Sequence, residues 1–84
     1  MNKKKIISIL IILLKKLKPI PKKFYKDLNL FNYYDSGHLD SLEIIRFNLL
    51  VEKKFKIRIS PQESIKKSIY TLNGLASIIL KKIN

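Results

Sequence analysis

The sequence predicts an all-α fold: a small four-helix bundle with a long loop between helices one and two. Its 84 residues can enclose only one hydrophobic core. Apolar residues make up 46% of the chain, which is enough for such a core despite the charge. They also recur at helical spacing in segments that turn-forming residues separate. We therefore expect a single domain over residues 1–84, with helices at about 4–18, 41–54, 61–68 and 71–83.

The first predicted helix, Lys4 to Lys18, is unusually apolar. Pro19 ends it, because proline lacks a backbone donor and restricts the residue before it. Its uncharged run from Ile6 to Leu14 is nine residues long, against about 20 for a helix that crosses a bilayer. We expect no membrane-spanning segment. The apolar side chains on every side of this helix have three interpretations: an unusually apolar core helix, a dimer contact, or a helix that lies peripherally on an anionic membrane.

The connection from Pro19 to Leu39 is predicted to be a packed loop. It contains turn-forming residues, most closely spaced at Asp35-Ser36-Gly37. It also contains apolar residues that we expect to anchor it to the core, namely Phe24, Leu28, Leu30, Phe31 and Tyr34.

Local start signals define the other three helices. Asp40 or Ser41 caps the second, and Ser60-Pro61-Gln62-Glu63 opens the third with a capping serine, a proline and a glutamate in the preferred positions. Thr71 caps the last helix. Phe55-Lys-Ile-Arg-Ile59 alternates like a strand but has no partner strand, so we interpret it as an extended connector.

The composition excludes several kinds of chemistry. The chain has no cysteine, which excludes a disulfide scaffold, a thiol nucleophile and a cysteine zinc site. His38 is the single histidine and cannot form a histidine metal cluster. We therefore expect no metal site, and a reducing cytoplasmic location fits this composition.

The net charge of +12 has more than one interpretation. A basic surface is typical of proteins that bind nucleic acid or anionic membranes, yet 16 of the 18 basic residues are Lys, as drift toward A- and T-rich codons would give. Residues 27–52 are the exception, with five acids and one Arg. Drift alone would not spare this window, so we expect the functional chemistry there.

The second helix carries two apolar stripes. Ile44, Phe47, Val51 and Phe55 follow each other at spacings of three and four and form the predicted core stripe. A second stripe consists of Leu42, Ile45 and Leu49, next to Ser41 and interrupted by basic residues. We expect this second stripe to be partly exposed, although a helix buried on most of its surface would show the same pattern.

From Asp35 to Pro61 the chain resembles an acyl carrier protein. The resemblance is carried by Asp35-Ser-Gly-His-Leu-Asp-Ser-Leu-Glu43, then Ile44 to Phe55, Ile57-Arg-Ile-Ser-Pro61, and Thr71-Leu72 at the start of the closing helix. The Ser-Gly-x-Leu-Asp-Ser-Leu form is most similar to stand-alone and D-alanyl carrier proteins. Without this context, the residues around Ser41 would be interpreted only as a capping box.

The resemblance implies a non-catalytic carrier whose Ser41 bears 4′-phosphopantetheine. A phosphopantetheinyl transferase would transfer this arm from coenzyme A, and Asp40 would orient the serine and be recognised by that enzyme. The carried group would be an acyl or aminoacyl thioester for fatty acid or secondary metabolite biosynthesis, supplied by a ligase and consumed by an acyltransferase or synthase. The implied docking residues for these partners are Leu42, Glu43, Ile45, Leu49 and Glu52.

One feature departs from the acyl carrier pattern. Carriers of this kind are usually acidic along the second helix, whereas here Arg46, Lys53 and Lys54 lie in that region. A small basic nucleic-acid-binding or peripheral membrane-binding protein is the alternative function. We expect no nucleic-acid partner, because neither a nucleic-acid motif nor an arginine-rich face accompanies the charge.

Overall fold

Helices are the only regular secondary structure in residues 1–83, the part of the chain that the computed structural model describes. The predicted all-α class is therefore confirmed. The α-helices are α1 (Lys3–Leu17), α2 (Ser41–Phe55), α3 (Pro61–Ser64) and α4 (Leu72–Ile83). Two 3-10 helices, Lys22–Asp27 and Lys67–Tyr70, lie between them.

The core forms where α1 packs against both α2 and α4. Each of these helices contributes side chains at spacings of three and four, as an amphipathic helix should. The buried residues of the three helices are Ile6, Leu10 and Leu14 of α1, Ile44, Phe47 and Val51 of α2, and Leu72, Leu75, Ala76 and Ile79 of α4. The predicted core stripe of the second helix is thus buried, with Phe55 half-buried at its end.

The central position of α1 explains its apolar sequence. A helix with neighbours on two sides needs apolar side chains over most of its circumference. Ile7, Ile11, Leu13 and Leu17 are half-buried against the core, and Ile12, at 66% exposed, is the α1 side chain that extends furthest into solvent among the large apolar ones. No helix in residues 1–83 has the length and apolarity needed to cross a membrane.

The connection between α1 and α2 packs on the core, but not entirely through the predicted anchors. Phe31 is buried, and Phe24 and Leu28 are half-buried. The prediction is wrong for Leu30 and Tyr34, which are exposed. Four other residues of this connection are buried and anchor it to the core, namely Ile20, Tyr33, His38 and Leu39.

The third predicted helix is wrong in its extent. It was expected at about 61–68, but the α-helix ends at Ser64 and Lys66 is extended, with φ −77° and ψ 131°. A continuous helix would place Ile65 and Ile69 on one face. The break instead leaves Ile65 80% exposed and buries Ile69, whose carbonyl accepts a hydrogen bond from the buried Tyr33 hydroxyl.

The segment between α2 and α3 is a connector without regular secondary structure, but Phe55, which was predicted to belong to it, is the last residue of α2. Lys56 ends α2 in the left-handed region, with φ 56°, and the Glu52 side chain accepts a hydrogen bond from the Ile59 amide at 2.8 Å. This bond ties the connector to the last turn of α2. The position of α3 relative to α2 is therefore set by a short, restrained segment.

Candidate functional site

Ser41 is the first residue of α2, and its position is set by the turn before it. Gly37 adopts φ +80°, a conformation that L side chains rarely adopt, and its amide donates to the Tyr34 carbonyl at 3.0 Å. Leu39 is buried, and its amide donates to the Tyr33 carbonyl at 2.7 Å. The chain thus turns back on itself, with Leu39 fixed in the core and the following residues brought to the surface.

Asp40 caps α2 in the reciprocal arrangement expected from the sequence. Its side chain accepts from the Glu43 amide at 2.8 Å, and the Glu43 side chain accepts from the Asp40 amide at 3.0 Å. Glu43 also pairs with Lys18 at the end of α1, at 3.4 Å. The start of α2 is therefore held both locally and by an ion pair to the preceding helix.

Ser41 lies outside this capping box and is exposed. The backbone N–H groups of Ser41 and Leu42 have no partner among the hydrogen bonds of residues 1–83, as is usual in the first turn of a helix. These groups and the positive end of the helix dipole favour a negatively charged group at this position, by up to about 1 kcal/mol at an exposed site.

The contact between Tyr34 and Ser41 does not follow from the sequence analysis. The Tyr34 hydroxyl lies 3.3 Å from the Ser41 Oγ, and the Tyr34 ring stands against Tyr70, with a centroid distance of 5.0 Å. The sequence predicted that Tyr34 would anchor the loop in the core. The signal that could have placed it is the turn at Gly37, which returns the chain toward the residue that begins α2.

A cavity of about 260 Å³ opens beside the Ser41 side chain. It lies between α2 and the region of α3, and both polar and apolar groups line it. The lining residues are Tyr34, Ser41, Ile44, Ile45, Asn48, Ser64 and Tyr70.

The predicted docking residues fall into two groups. Leu42, Ile45 and Leu49 are 58%, 56% and 59% exposed, so the second apolar stripe of α2 is outside the core. Glu43 and Glu52 are half-buried, and their carboxylates accept hydrogen bonds from backbone amides of the chain. The structure brings Ser41 and the three apolar side chains together on one exposed surface.

Ser36 and His38, which precede Ser41 in the chain, differ from each other in burial. Ser36 is exposed in the turn, and its Oγ accepts from the His38 amide at 3.4 Å. His38 is buried beside Phe24 and Phe31, and its Nε2 has no hydrogen-bond partner. Burial lowers the pKa of His38; Lys18 lowers it further, and Glu43 acts in the opposite direction.

Within residues 1–83, no group of three or more histidine and acidic side chains is placed to hold a metal ion. Comparison of the chain with known protein families, with characterised proteins and with solved structures found no significant match.

Proposed function

We propose that this chain is an acyl carrier protein, with 4′-phosphopantetheine attached to Ser41. The observation that carries the proposal is the position of Ser41: an exposed hydroxyl at the first residue of a capped helix, next to an exposed apolar stripe. A carrier needs this combination, because the serine must enter a transferase active site while neighbouring side chains bind that enzyme. The four-helix bundle of the carrier type, with its long loop, belongs to the same proposal.

The residues around Ser41 suit a phosphodiester. The amides of Ser41 and Leu42, free at the start of α2, are donors available to its negative charge. The Tyr34 hydroxyl, now 3.3 Å from Oγ, is a further donor for an ester oxygen. When bound, the arm supplies a thiol that holds an acyl or aminoacyl group as a thioester.

Asp40 has a structural task that is compatible with recognition by the transferase. Its carboxylate caps α2 and so fixes the backbone on which Ser41 lies. In this proposal the transferase provides the base that activates the hydroxyl, since the group within hydrogen-bond distance of the Ser41 Oγ is a phenol hydroxyl and not a carboxylate or an imidazole. The chain carries the group and its partners do the chemistry.

The test is covalent modification at Ser41. The full chain is incubated with coenzyme A, Mg²⁺ and a broad-specificity phosphopantetheinyl transferase, and intact mass is measured. We expect one added phosphopantetheine on the wild type and none on Ser41→Ala. Ser36→Ala is the matched control, since Ser36 is also exposed and lies only five positions earlier, and it should be modified normally.

Two results would contradict the proposal. One is modification of the Ser41→Ala protein at another residue. The other is an unmodified wild type with several transferases, each shown to be active on a known carrier. If the proposal holds, the cargo and its loading ligase are best identified from genes adjacent to the one that encodes this chain.

A further inference from the structure

The exposed side of α2 next to Ser41 combines apolar and basic side chains. At about 100° per residue, its members fall within a sector of about 100° on the helix surface. We define this α2 surface as Leu42, Ile45, Arg46, Leu49 and Lys53. All five are exposed, and the three apolar ones are each more than half accessible to solvent.

The basic residues of the α2 surface have unpaired charges. The two ion pairs found in residues 1–83 are Lys18–Glu43 and Lys82–Glu63, and neither includes Arg46 or Lys53. Lys54, in the same last turn of α2, is also exposed and outside these pairs. A partner that approaches this surface therefore meets two basic side chains that form no ion pair within residues 1–83.

The nearby acids are used within the chain. Asp40 accepts from the Glu43 amide, and Glu43 pairs with Lys18 and accepts from the Asp40 amide. Glu52 accepts from the Ile59 amide at 2.8 Å. Asp40 and Glu52 keep their negative charge, because a backbone amide is neutral, but the α2 surface itself contains two basic residues and no acid.

We infer that the α2 surface binds a protein partner whose own apolar patch is bordered by aspartate or glutamate side chains. This inference rests on the proposed function for the identity of the partners, since they would be the enzymes that modify, load or unload Ser41. A protein is favoured over nucleic acid because Leu42, Ile45 and Leu49 offer apolar area, which phosphate backbones do not match. Electrostatic complementarity then selects the acidic partner and orients it.

The test uses a probe that needs no prosthetic group. An 18-residue amphipathic helical peptide with a leucine face and glutamates elsewhere is titrated into the full-length chain, and amide shifts are followed by ¹H–¹⁵N NMR. Its twin has lysine at every glutamate position. We expect the acidic peptide to shift the amides of the α2 surface, and the lysine twin to cause no shifts there.

Two variants with the same change in net charge make the test specific. Arg46→Glu should weaken binding of the acidic peptide at least about fivefold, because it replaces attraction by repulsion at a position between Leu42 and Leu49 along the helix. Lys81→Glu is the control and should change binding by less than about twofold. Lys81 is exposed on α4, in a cavity with Lys66 and Ser68 that contains no residue of α2.

Three outcomes would overturn the inference. The lysine twin could bind the α2 surface as well as the acidic peptide, or the two variants could weaken binding equally, which would indicate diffuse attraction to a chain of charge +12. Phosphatidylglycerol vesicles could broaden the α2 amides while the acidic peptide does not bind, which would indicate a lipid surface. None of these results depends on modification of Ser41, so the inference and the proposed function can fail separately.

Discussion

At the scale of single residues, His38 shows how the turn before Ser41 is stabilised. Its ring packs edge-on to Phe24 and Phe31, with centroid distances of 6.1 and 5.9 Å. Its Nε2 is buried without a hydrogen-bond partner, and burial lowers the pKa of the imidazole. The residue therefore behaves as an aromatic core side chain that must stay neutral in the folded protein.

The lowered pKa of His38 predicts a loss of stability in mild acid. A histidine whose pKa is lower in the folded state than its ordinary 6.5 takes up a proton more readily when unfolded. The contribution of the neutral imidazole to stability is fully present above about pH 6.5 and falls as the pH decreases below that value. We expect the melting temperature of the wild type to fall between about pH 7 and pH 5 relative to that of His38→Phe.

The aromatic replacement has room to fit, because a cavity of about 220 Å³ borders His38, Phe24 and Lys18. His38→Gln is the control, since it also cannot titrate in this range but leaves a buried amide with unpaired groups. It should be less stable than His38→Phe at every pH. Parallel pH curves for the wild type and His38→Phe would show that the pKa of the imidazole is not lowered on folding.

At the scale of elements, the short helix α3 is stabilised by one glutamate. Glu63 accepts from the Ser60 amide at 2.8 Å in a capping box and pairs with Lys82 of α4, also at 2.8 Å. The hydrogen bond from Lys82 and, next, that from the Ser60 amide lower the pKa of Glu63 to about 2. One carboxylate thus caps α3 and links it to the last turn of α4.

This double role predicts an acid-sensitive contribution from Glu63. A carboxylate whose pKa is lowered on folding adds stability above its ordinary value of 4.5, and that stability is lost as the pH falls toward about 2. The melting temperature of Glu63→Gln should therefore be lower than that of the wild type at pH 7, and the two should converge as the pH falls to about 2.

The neighbouring exposed substitution Gln62→Ala is the control. Its difference from the wild type should not depend on pH, because Gln62 has no titrating group. A difference between Glu63→Gln and the wild type that stays constant from pH 7 to pH 2 would contradict the role of the charge.

The elements that were predicted well are those with local signals. The start of α2 follows from Asp40 and Glu43, which are three residues apart and bind each other's backbone. The extent of α3 was predicted wrongly because contacts with distant residues determine it. Tyr33 donates to the Ile69 carbonyl, and the Tyr33 amide donates to Tyr70, so a loop more than thirty residues away breaks the helix.

The same distinction applies to the candidate site. The capping box and the exposed stripe of α2 follow from spacing within one helix, and the structure has both. The contact between the Tyr34 hydroxyl and Ser41 depends on the turn at Gly37. The hydrogen bond from the Ile59 amide to the Glu52 carboxylate depends on the path of the connector. Neither contact leaves a periodic pattern in the sequence.

At the scale of the whole molecule, the N-terminal region combines a high positive charge with little exposed apolar surface. The net charge is +12, and nine lysines lie in residues 1–26, yet the apolar side chains of α1 are mostly packed between α2 and α4. Near the middle of the helix, Ile12 is the α1 side chain left as a large exposed apolar group. The surface around α1 therefore offers many positive charges and little apolar area.

This arrangement predicts how the chain meets membranes. Each lysine near an anionic surface contributes on the order of 1 kcal/mol, whereas one aliphatic side chain adds roughly 1.5 to 3 kcal/mol if it is fully buried. We expect sedimentation with phosphatidylglycerol vesicles at low salt, release at about 0.5 M NaCl, and no sedimentation with neutral phosphatidylcholine vesicles. Ile12→Ser should leave this behaviour unchanged, and Lys15→Glu/Lys16→Glu should weaken it, because the attraction comes from charge. Sedimentation with neutral vesicles that Ile12→Ser abolishes would instead show that α1 leaves the core and inserts its apolar side chains into lipid.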